Sequence, residues 1–197
     1  MKITLFGPTG MIGSRIASEL ERRGHDVRGA SRSGGTDVTD PAAVAEVAAG
    51  ADVVISAVSA RGVDHTLVDV AAALVDGVRR AGGRRLIVVG GAASLEVSPG
   101  RRLFDTPDFP EEWKAEARQG IDALDFLRSV TDLDWTYVSP AAFIHPGERT
   151  GHYRLGGDEL LVDENGTSEI SAEDYAIAIA DLAERDGHAR ERVSAAW

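Results

Sequence analysis

The stretch GPTGMIG at residues 7–13 carries three glycines, Gly7, Gly10 and Gly13, between an apolar run at residues 3–6 and a segment whose apolar residues recur at helical intervals. Glycine at a strand-to-helix junction can turn through positive φ, and it lets a ligand approach the backbone without meeting a Cβ. A helix start adds unpaired N–H donors and about half a positive charge from the dipole. The chemistry this suits is the cradling of a pyrophosphate, with Gly7 and Gly10 expected at positive φ and the amides of Thr9, Gly10, Met11 and Ile12 around the ligand. Gly13 would let the helix pack closely on the strand. At the end of the second strand a carboxylate would select NAD, whereas a cation and hydroxyl donors suit the 2′-phosphate of NADP. The residues there are Ala30-Ser31-Arg32-Ser33, so NADP is the expected cofactor, with NAD the alternative if Arg32 is a solvated surface side chain.

The elements that must position these residues alternate. Strand, turn and helix occupy residues 3–20, with Gly24 closing the helix, and a second strand is expected at residues 25–29. Asp40 caps a helix that opens at Pro41, and DVVISAV at residues 52–58 reads as a strand buried on both faces. A helix from about Asp64 to Arg80 ends at Gly82 and Gly83, and RLIVVGG at residues 85–91 is a second buried strand. Regularity then lapses until about Pro110, a long gap of the kind that forms site loops. A helical period follows, then a strand at residues 134–138 ended by Ser139 and Pro140. Residues 141–170 carry loop and hairpin signals, including Glu164-Asn-Gly166. Ser171 to Asp174 matches a capping box, and RVSAAW is expected as a last edge strand. Strands alternating with crossover helices imply an α/β fold, a doubly wound, mostly parallel sheet in one domain spanning residues 1–197.

Composition narrows the function classes. A net charge of −11 with only two lysines argues against a nucleic-acid surface, and no long apolar run points to a membrane. Without cysteine, disulfides, thiolate metal sites and cysteine nucleophiles are excluded, and the cytoplasm is the expected location.

The spacing GxxGxxG, read as Thr9-Gly-Met-Ile-Gly13, resembles the short-chain dehydrogenase/reductase superfamily in its atypical and extended members. The resemblance implies that Asp37 and the backbone of Val38, in DVTD, meet adenine, and that SAVS, with Ala57, Val58 and Ser59, lies beside the adenosine ribose. VVGGAASLEV with Gly90 and Gly91, the Pro140 that follows WTYVS, and TSEISAEDYA narrow it to NAD(P)H-binding proteins similar to flavin reductase and biliverdin-IXβ reductase. Ala141 and Ala142 stand where biliverdin-reducing relatives carry a histidine after the proline pair, which argues against biliverdin as substrate.

Superfamily members acting on alcohols use a Tyr-x-x-x-Lys pair in which lysine lowers the tyrosine pKa. Here Pro110 stands four residues before Lys114 and Trp113 replaces the tyrosine, so an ordinary alcohol dehydrogenase is not expected. Hydride transfer to a free flavin or quinone as substrate asks less of the protein: stacking and exclusion of competing geometry. Phe104, Phe109, Trp113, Phe143 and Tyr153 are the aromatic candidates for the acceptor wall, or else ordinary core, with Phe143 foremost. Ser94 either contacts the substrate or caps a turn; His145 and His152 either serve an anionic substrate or are solvated, and no metal ligand set accompanies them. Ser171, Glu173 and Asp174 are read as a helix cap. The expected activity is hydride transfer to a small planar acceptor, the alternative a redox sensor that binds NADP without turnover.

Overall fold

The computed structural model describes residues 1–59 and 65–197. In chain order the elements are β1 (Lys2–Phe6), α1 (Met11–Arg22), β2 (Asp26–Ala30), α2 (Pro41–Ala48), β3 (Val53–Ser56), α3 (Leu67–Arg80), β4 (Arg85–Val89), β5 (Glu96–Ser98), β6 (Arg101–Arg102), α4 (Lys114–Arg128), β7 (Asp134–Pro140), β8 (Phe143–His145), β9 (Arg154–Gly156), β10 (Glu169–Ser171), α5 (Ala172–Glu184) and β11 (Glu191–Ala196). Seven strands form the main sheet in the order β2-β1-β3-β4-β7-β11-β9. Every pairing in it is parallel except that of β9.

Local chemistry sets the helix limits. Asp40 accepts from the Ala42 amide, so α2 starts one residue later at Pro41. Thr66 and Asp69 make a reciprocal capping box at the start of α3, whereas the expected start at Asp64 lies outside the described residues. Gly24, at φ +81°, ends α1.

The inner strands β1, β3, β4 and β7 are buried on both faces. Ile3, Leu5, Val53 and Ile55 meet Ile16 and Leu20 of α1 and Ala176 and Ile179 of α5. Phe6, Val54, Leu86, Trp135 and Tyr137 point the other way into the packing of α2, α3 and α4. The chain leaves β1 for β2 on one side and β3 on the other. The carboxyl end of β1 is therefore the switch point at which open α/β sheets bind ligands.

Three expectations are corrected. RVSAAW forms β11 inside the sheet, because Arg154–Gly156 adds antiparallel to its outer side as the edge strand β9. Three residues give no legible period of alternation. The Glu164–Gly166 turn does not join a hairpin: the Asp163 carboxylate closes it on the amides of Asn165 and Thr167, and β10 then pairs in parallel with β8. Ser171 does accept from the Asp174 amide at 3.0 Å, but the box is not reciprocal, since Asp174 turns its carboxylate to Thr150, Gly151 and Trp197.

A charge cluster locks α1 to α5. Glu19, with 4% of its side chain exposed, receives Arg22, Arg23 and Arg149, and Arg23 reaches on to Asp181 and Glu184 at 2.7 Å each. Burial alone would raise the Glu19 pKa, but the three guanidinium groups outweigh it and hold the carboxyl at about 2. A carboxyl held below its unfolded value of about 4.3 stabilises the fold fully above that pH and ceases to do so as the pH falls toward 2. Glu19→Gln is expected to cost about 2–3 kcal/mol at pH 7 and almost nothing near pH 2, as read from denaturant unfolding across that range.

Candidate functional site

The β1–α1 turn is built on two close approaches. Gly7 lies at φ +79°, and a Cβ there would come 2.7 Å from the Ala57 carbonyl oxygen at the end of β3. A Cβ on Gly13 would lie 1.9 Å from the Gly7 carbonyl oxygen, so α1 sits directly on the turn. Gly10 differs from the expectation: its φ is −72°, an ordinary value, and a Cβ would meet only the Gly7 oxygen at 3.7 Å. Nothing in the fold demands glycine at position 10; what its absent side chain leaves is open space above the helix start. The first amide to find a helical acceptor is that of Ser14, on the Gly10 carbonyl at 3.0 Å. The amides of Met11, Ile12 and Gly13 have no acceptor among the described residues, and neither a side-chain cap nor an acidic residue occupies the first turn. The cradle fits a dinucleotide pyrophosphate.

The other expected cofactor residues gather at the same edge. Arg32 opens a short 3-10 turn directly after β2 and is exposed. The Ser31 hydroxyl accepts from the Gly34 amide at 3.2 Å and lies 3.1 Å from that of Ser33, and no carboxylate stands in this turn. Asp37 binds the Thr39 hydroxyl at 2.7 Å and amide at 2.9 Å, which lowers its pKa, while the Val38 side chain is core. Ala57 and Val58 follow β3 half-buried, and Ser59 is exposed. Pro140 ends β7 in register with Ala195. Gly90 has a different task from the expected one: a Cβ there would lie 2.0 Å from the Tyr137 ring, so the glycine makes room for that side chain. Gly91 remains open, its amide donating to the Tyr137 hydroxyl at 3.2 Å.

Beyond β7 the chain presents Phe143 with 57% of its surface exposed. Its strand is clasped to β10, with the Phe143 amide on the Ser168 carbonyl at 3.0 Å. The Phe143 ring lies 5.0 Å from that of His145, which in turn is 6.1 Å from the nearer ring of Trp197. Nδ1 of His145 faces the Pro146 carbonyl at 2.9 Å and Nε2 faces Glu169 at 2.7 Å; the carbonyl and then the carboxylate raise its pKa. Ser94 is buried, and its hydroxyl accepts from Arg192 at 3.1 Å. His152 is exposed.

Of the other aromatic candidates, Phe104, Phe109 and Tyr153 have partners of their own. Phe104 and Phe109 pack against each other, tilted, at 5.4 Å between ring centres, with Arg118 4.4 Å above Phe104. Trp113 is half exposed beside the start of α4. Tyr153 donates to Asp181, which also holds Arg23 beyond the C-terminal end of α1, a helix length from the glycine turn. Glu173 is more than part of a cap: it accepts from the Gly147 amide at 2.7 Å and from Arg15 at 3.0 Å, strapping the segment after β8 to α1. Arg192 escaped the sequence reading altogether; a lone arginine opening an otherwise apolar strand was the available signal. Among the described residues no group of three His, Cys, Asp or Glu is arranged to hold a metal, and no helix is long and apolar enough to cross a membrane.

Comparison with known proteins agrees with this geometry. Residues 34–186 match the family described as NAD(P)H-binding, and the chain belongs to it. The uncharacterised protein YwnB of Bacillus subtilis is 38% identical over 98% of this chain and 96% of its own. A crystal structure from Burkholderia pseudomallei, provisionally named an exported protein, is 50% identical with a TM-score of 0.92, covering 100% of both chains. Another, from Streptococcus pneumoniae and provisionally named an NADH-flavin reductase, is 35% identical with a TM-score of 0.86, covering 100% of this chain and 99% of that one. The fold is that of the atypical short-chain dehydrogenase/reductases, a Rossmann-type sheet with helices on both faces.

The two inner glycines separate fold from ligand. Gly13→Ala should destabilise the protein by about 2–3 kcal/mol through its contact with Gly7. Gly10→Val should keep the melting temperature within a few degrees, to the order of a surface change, and abolish NADPH binding. Calorimetric titration and thermal melts of both variants check the pair.

Proposed function

We propose that the protein is an NADPH-dependent oxidoreductase that passes a hydride to a planar acceptor, a free flavin or a quinone. The observation that carries this reading is the engagement of every tyrosine elsewhere. Tyr137 donates to the Gly120 carbonyl at 3.0 Å, Tyr175 to that of Val138 at 2.6 Å, and Tyr153 to Asp181. Burial pushes the Tyr137 pKa up to about 12, a phenol kept protonated and spent on structure. With no phenol to exchange a proton, a reaction that rests on stacking and positioning suits the site. The name carried by the Streptococcus pneumoniae relative points the same way.

In this reading the unpaired amides of Met11, Ile12 and Gly13 hold the pyrophosphate, whereas the Gly10 amide, expected to join them, turns to the Gly7 carbonyl at 3.4 Å. Arg32, with Ser31 and Ser33, takes the 2′-phosphate, while Ala57, Val58 and Ser59 line the adenosine ribose and Asp37 and Val38 border the adenine. Gly91 and Pro140 flank the nicotinamide half, Ser94 faces the acceptor, and Phe143 covers it. When bound, the reduced nicotinamide supplies the hydride. The protein excludes water and holds the acceptor's plane parallel to it.

Arg32→Ala should weaken NADPH binding by about 1.5–3 kcal/mol and leave NADH nearly unchanged; equal losses would show that Arg32 does not read the 2′-phosphate. For the reaction, NADPH-loaded protein is mixed in stopped flow with flavin mononucleotide and with menadione. The nicotinamide absorbance should decay faster than without protein, and Phe143→Ala should slow that decay while sparing NADPH affinity. Decay no faster than the uncatalysed rate with any flavin or quinone would overturn the oxidoreductase reading in favour of a cofactor-binding sensor.

A further inference from the structure

Among the described residues Arg192 is the most deeply buried cation, with 2% of its side chain exposed, and its burial needs a cause. It stands on β11 in register with Tyr137 on β7, so both side chains leave the same face of the sheet. Its Nε donates to an Asp158 carboxylate oxygen at 2.8 Å, and Nη2 donates to that same oxygen and, at 3.2 Å, to the Asp158 carbonyl. Asp158 is itself 59% exposed and lies 3.4 Å from Arg128, so an exposed partner alone does not account for drawing a guanidinium into the interior. The remaining bond is Nη1 to the Ser94 hydroxyl oxygen at 3.1 Å.

That bond decides what Ser94 can do. A serine hydroxyl has one proton to donate and two lone pairs to accept with. Arg192 has no lone pair to offer, so it can only occupy an acceptor site on Ser94 and leave the hydroxyl proton free. Among the described residues no acceptor for that proton is found. The short 3-10 turn that carries Ser94, Ala92–Ser94, is held from its other end by Tyr137 through the Gly91 amide. Two side chains from neighbouring strands therefore fix the turn directly after the carboxyl end of β4.

Building on the oxidoreductase reading above, we propose that Arg192 is a positioning residue for the acceptor: it orients and polarises the Ser94 hydroxyl so that it donates a hydrogen bond to the acceptor oxygen on which negative charge gathers during reduction. The acceptor gains one hydride, a proton with two electrons, as the dihydronicotinamide is oxidised to NADP⁺. A quinone is left as the hydroquinone monoanion, and a proton from water makes it neutral. Ser94 keeps its own proton throughout and lowers the energy of the anion by hydrogen bonding, an effect strengthened by the buried positive charge behind it. The assignment explains how a site without the tyrosine–lysine pair still offers a donor to the reacting oxygen.

Two measurements on the full chain test it. The first is single-turnover reduction of menadione by the NADPH complex in wild type, Ser94→Ala, Arg192→Met and the double variant. Ser94→Ala should slow the step by about a hundredfold, Arg192→Met by a similar factor, and the double variant no further than Ser94→Ala. Ser94→Thr, which keeps the hydroxyl, should restore most of the rate. The second is calorimetric binding of 2-hydroxy-1,4-naphthoquinone, an enolate at neutral pH, to the NADP⁺ complex. Ser94→Ala and Arg192→Met should each weaken it about tenfold, the worth of roughly one hydrogen bond to an anion, while NADP⁺ affinity stays as in wild type. Should Arg192→Met not fold, Arg192→Lys replaces it, because lysine keeps the charge but lacks the planar fork whose Nη1 meets Ser94 while Nε and Nη2 meet Asp158. Wild-type turnover unaffected by Ser94→Ala, or losses that multiply in the double variant, would overturn this proposal alone. Failure of the wild type to reduce any acceptor would overturn it together with the function it rests on.

Discussion

The Gly7 carbonyl oxygen is the point on which the site depends. It stands 1.9 Å from where a Cβ of residue 13 would be, and Gly7 itself is pressed against the Ala57 carbonyl at the end of β3. Three elements thus meet without an intervening side chain, which brings the start of α1 to the switch point between β2 and β3. Because helix and strand are so close, the unpaired amides of Met11, Ile12 and Gly13 face one defined volume. A pyrophosphate there meets donors and dipole together. Gly10 belongs to the same turn, but the fold does not demand a glycine there: a Cβ would meet only the Gly7 oxygen, at 3.7 Å.

Away from that turn, the segments that follow β7 are organised by buried charge and by clasps. Glu19 draws Arg149 onto α1, while Glu173 and Asp174 hold Gly147, Thr150 and Gly151. The segment between β8 and β9, otherwise poor in regular structure, is thereby tied to the helix layer at several points. Arg192 does the same for the loop at Asp158 and the turn at Ser94. An uncompensated ion in such a place would be costly, so each charge comes with hydrogen-bonded partners. The result is a wall of irregular backbone that is nonetheless fixed, with Phe143 exposed upon it.

Tyrosine shows how the chemistry and the packing are linked. Gly90 carries no side chain because the Tyr137 ring fills its space, and the same hydroxyl then receives Gly91 and reaches Gly120 on α4. The Tyr137 phenol is thus part of the scaffold. In the function proposed above the donor role falls to a smaller hydroxyl, Ser94, which accepts from the Arg192 guanidinium.

Much of this was legible in the sequence wherever the information is local. The β-branched runs of β3 and β4, Asp40 before Pro41, and Gly24 after α1 name their elements because a strand buried on both faces, a helix cap and a positive-φ turn each demand particular residues within a few positions. The spacing of Gly7 and Gly13 and the absence of a carboxylate beside Arg32 are read the same way. What tertiary structure alone decided involves partners far apart in sequence. That β11 is interior depends on a three-residue β9 arriving from some forty positions earlier, a count set by the chain between Arg154 and Ala196. The bonds of Ser94 to Arg192 and of Glu19 to Arg149 span 98 and 130 residues. Such contacts leave no periodic trace, since a single polar side chain in an apolar strand or helix does not say which distant group will satisfy it. Local spacing therefore marks where a dinucleotide can sit, and only the folded sheet determines which distant side chains meet, as Ser94 meets Arg192.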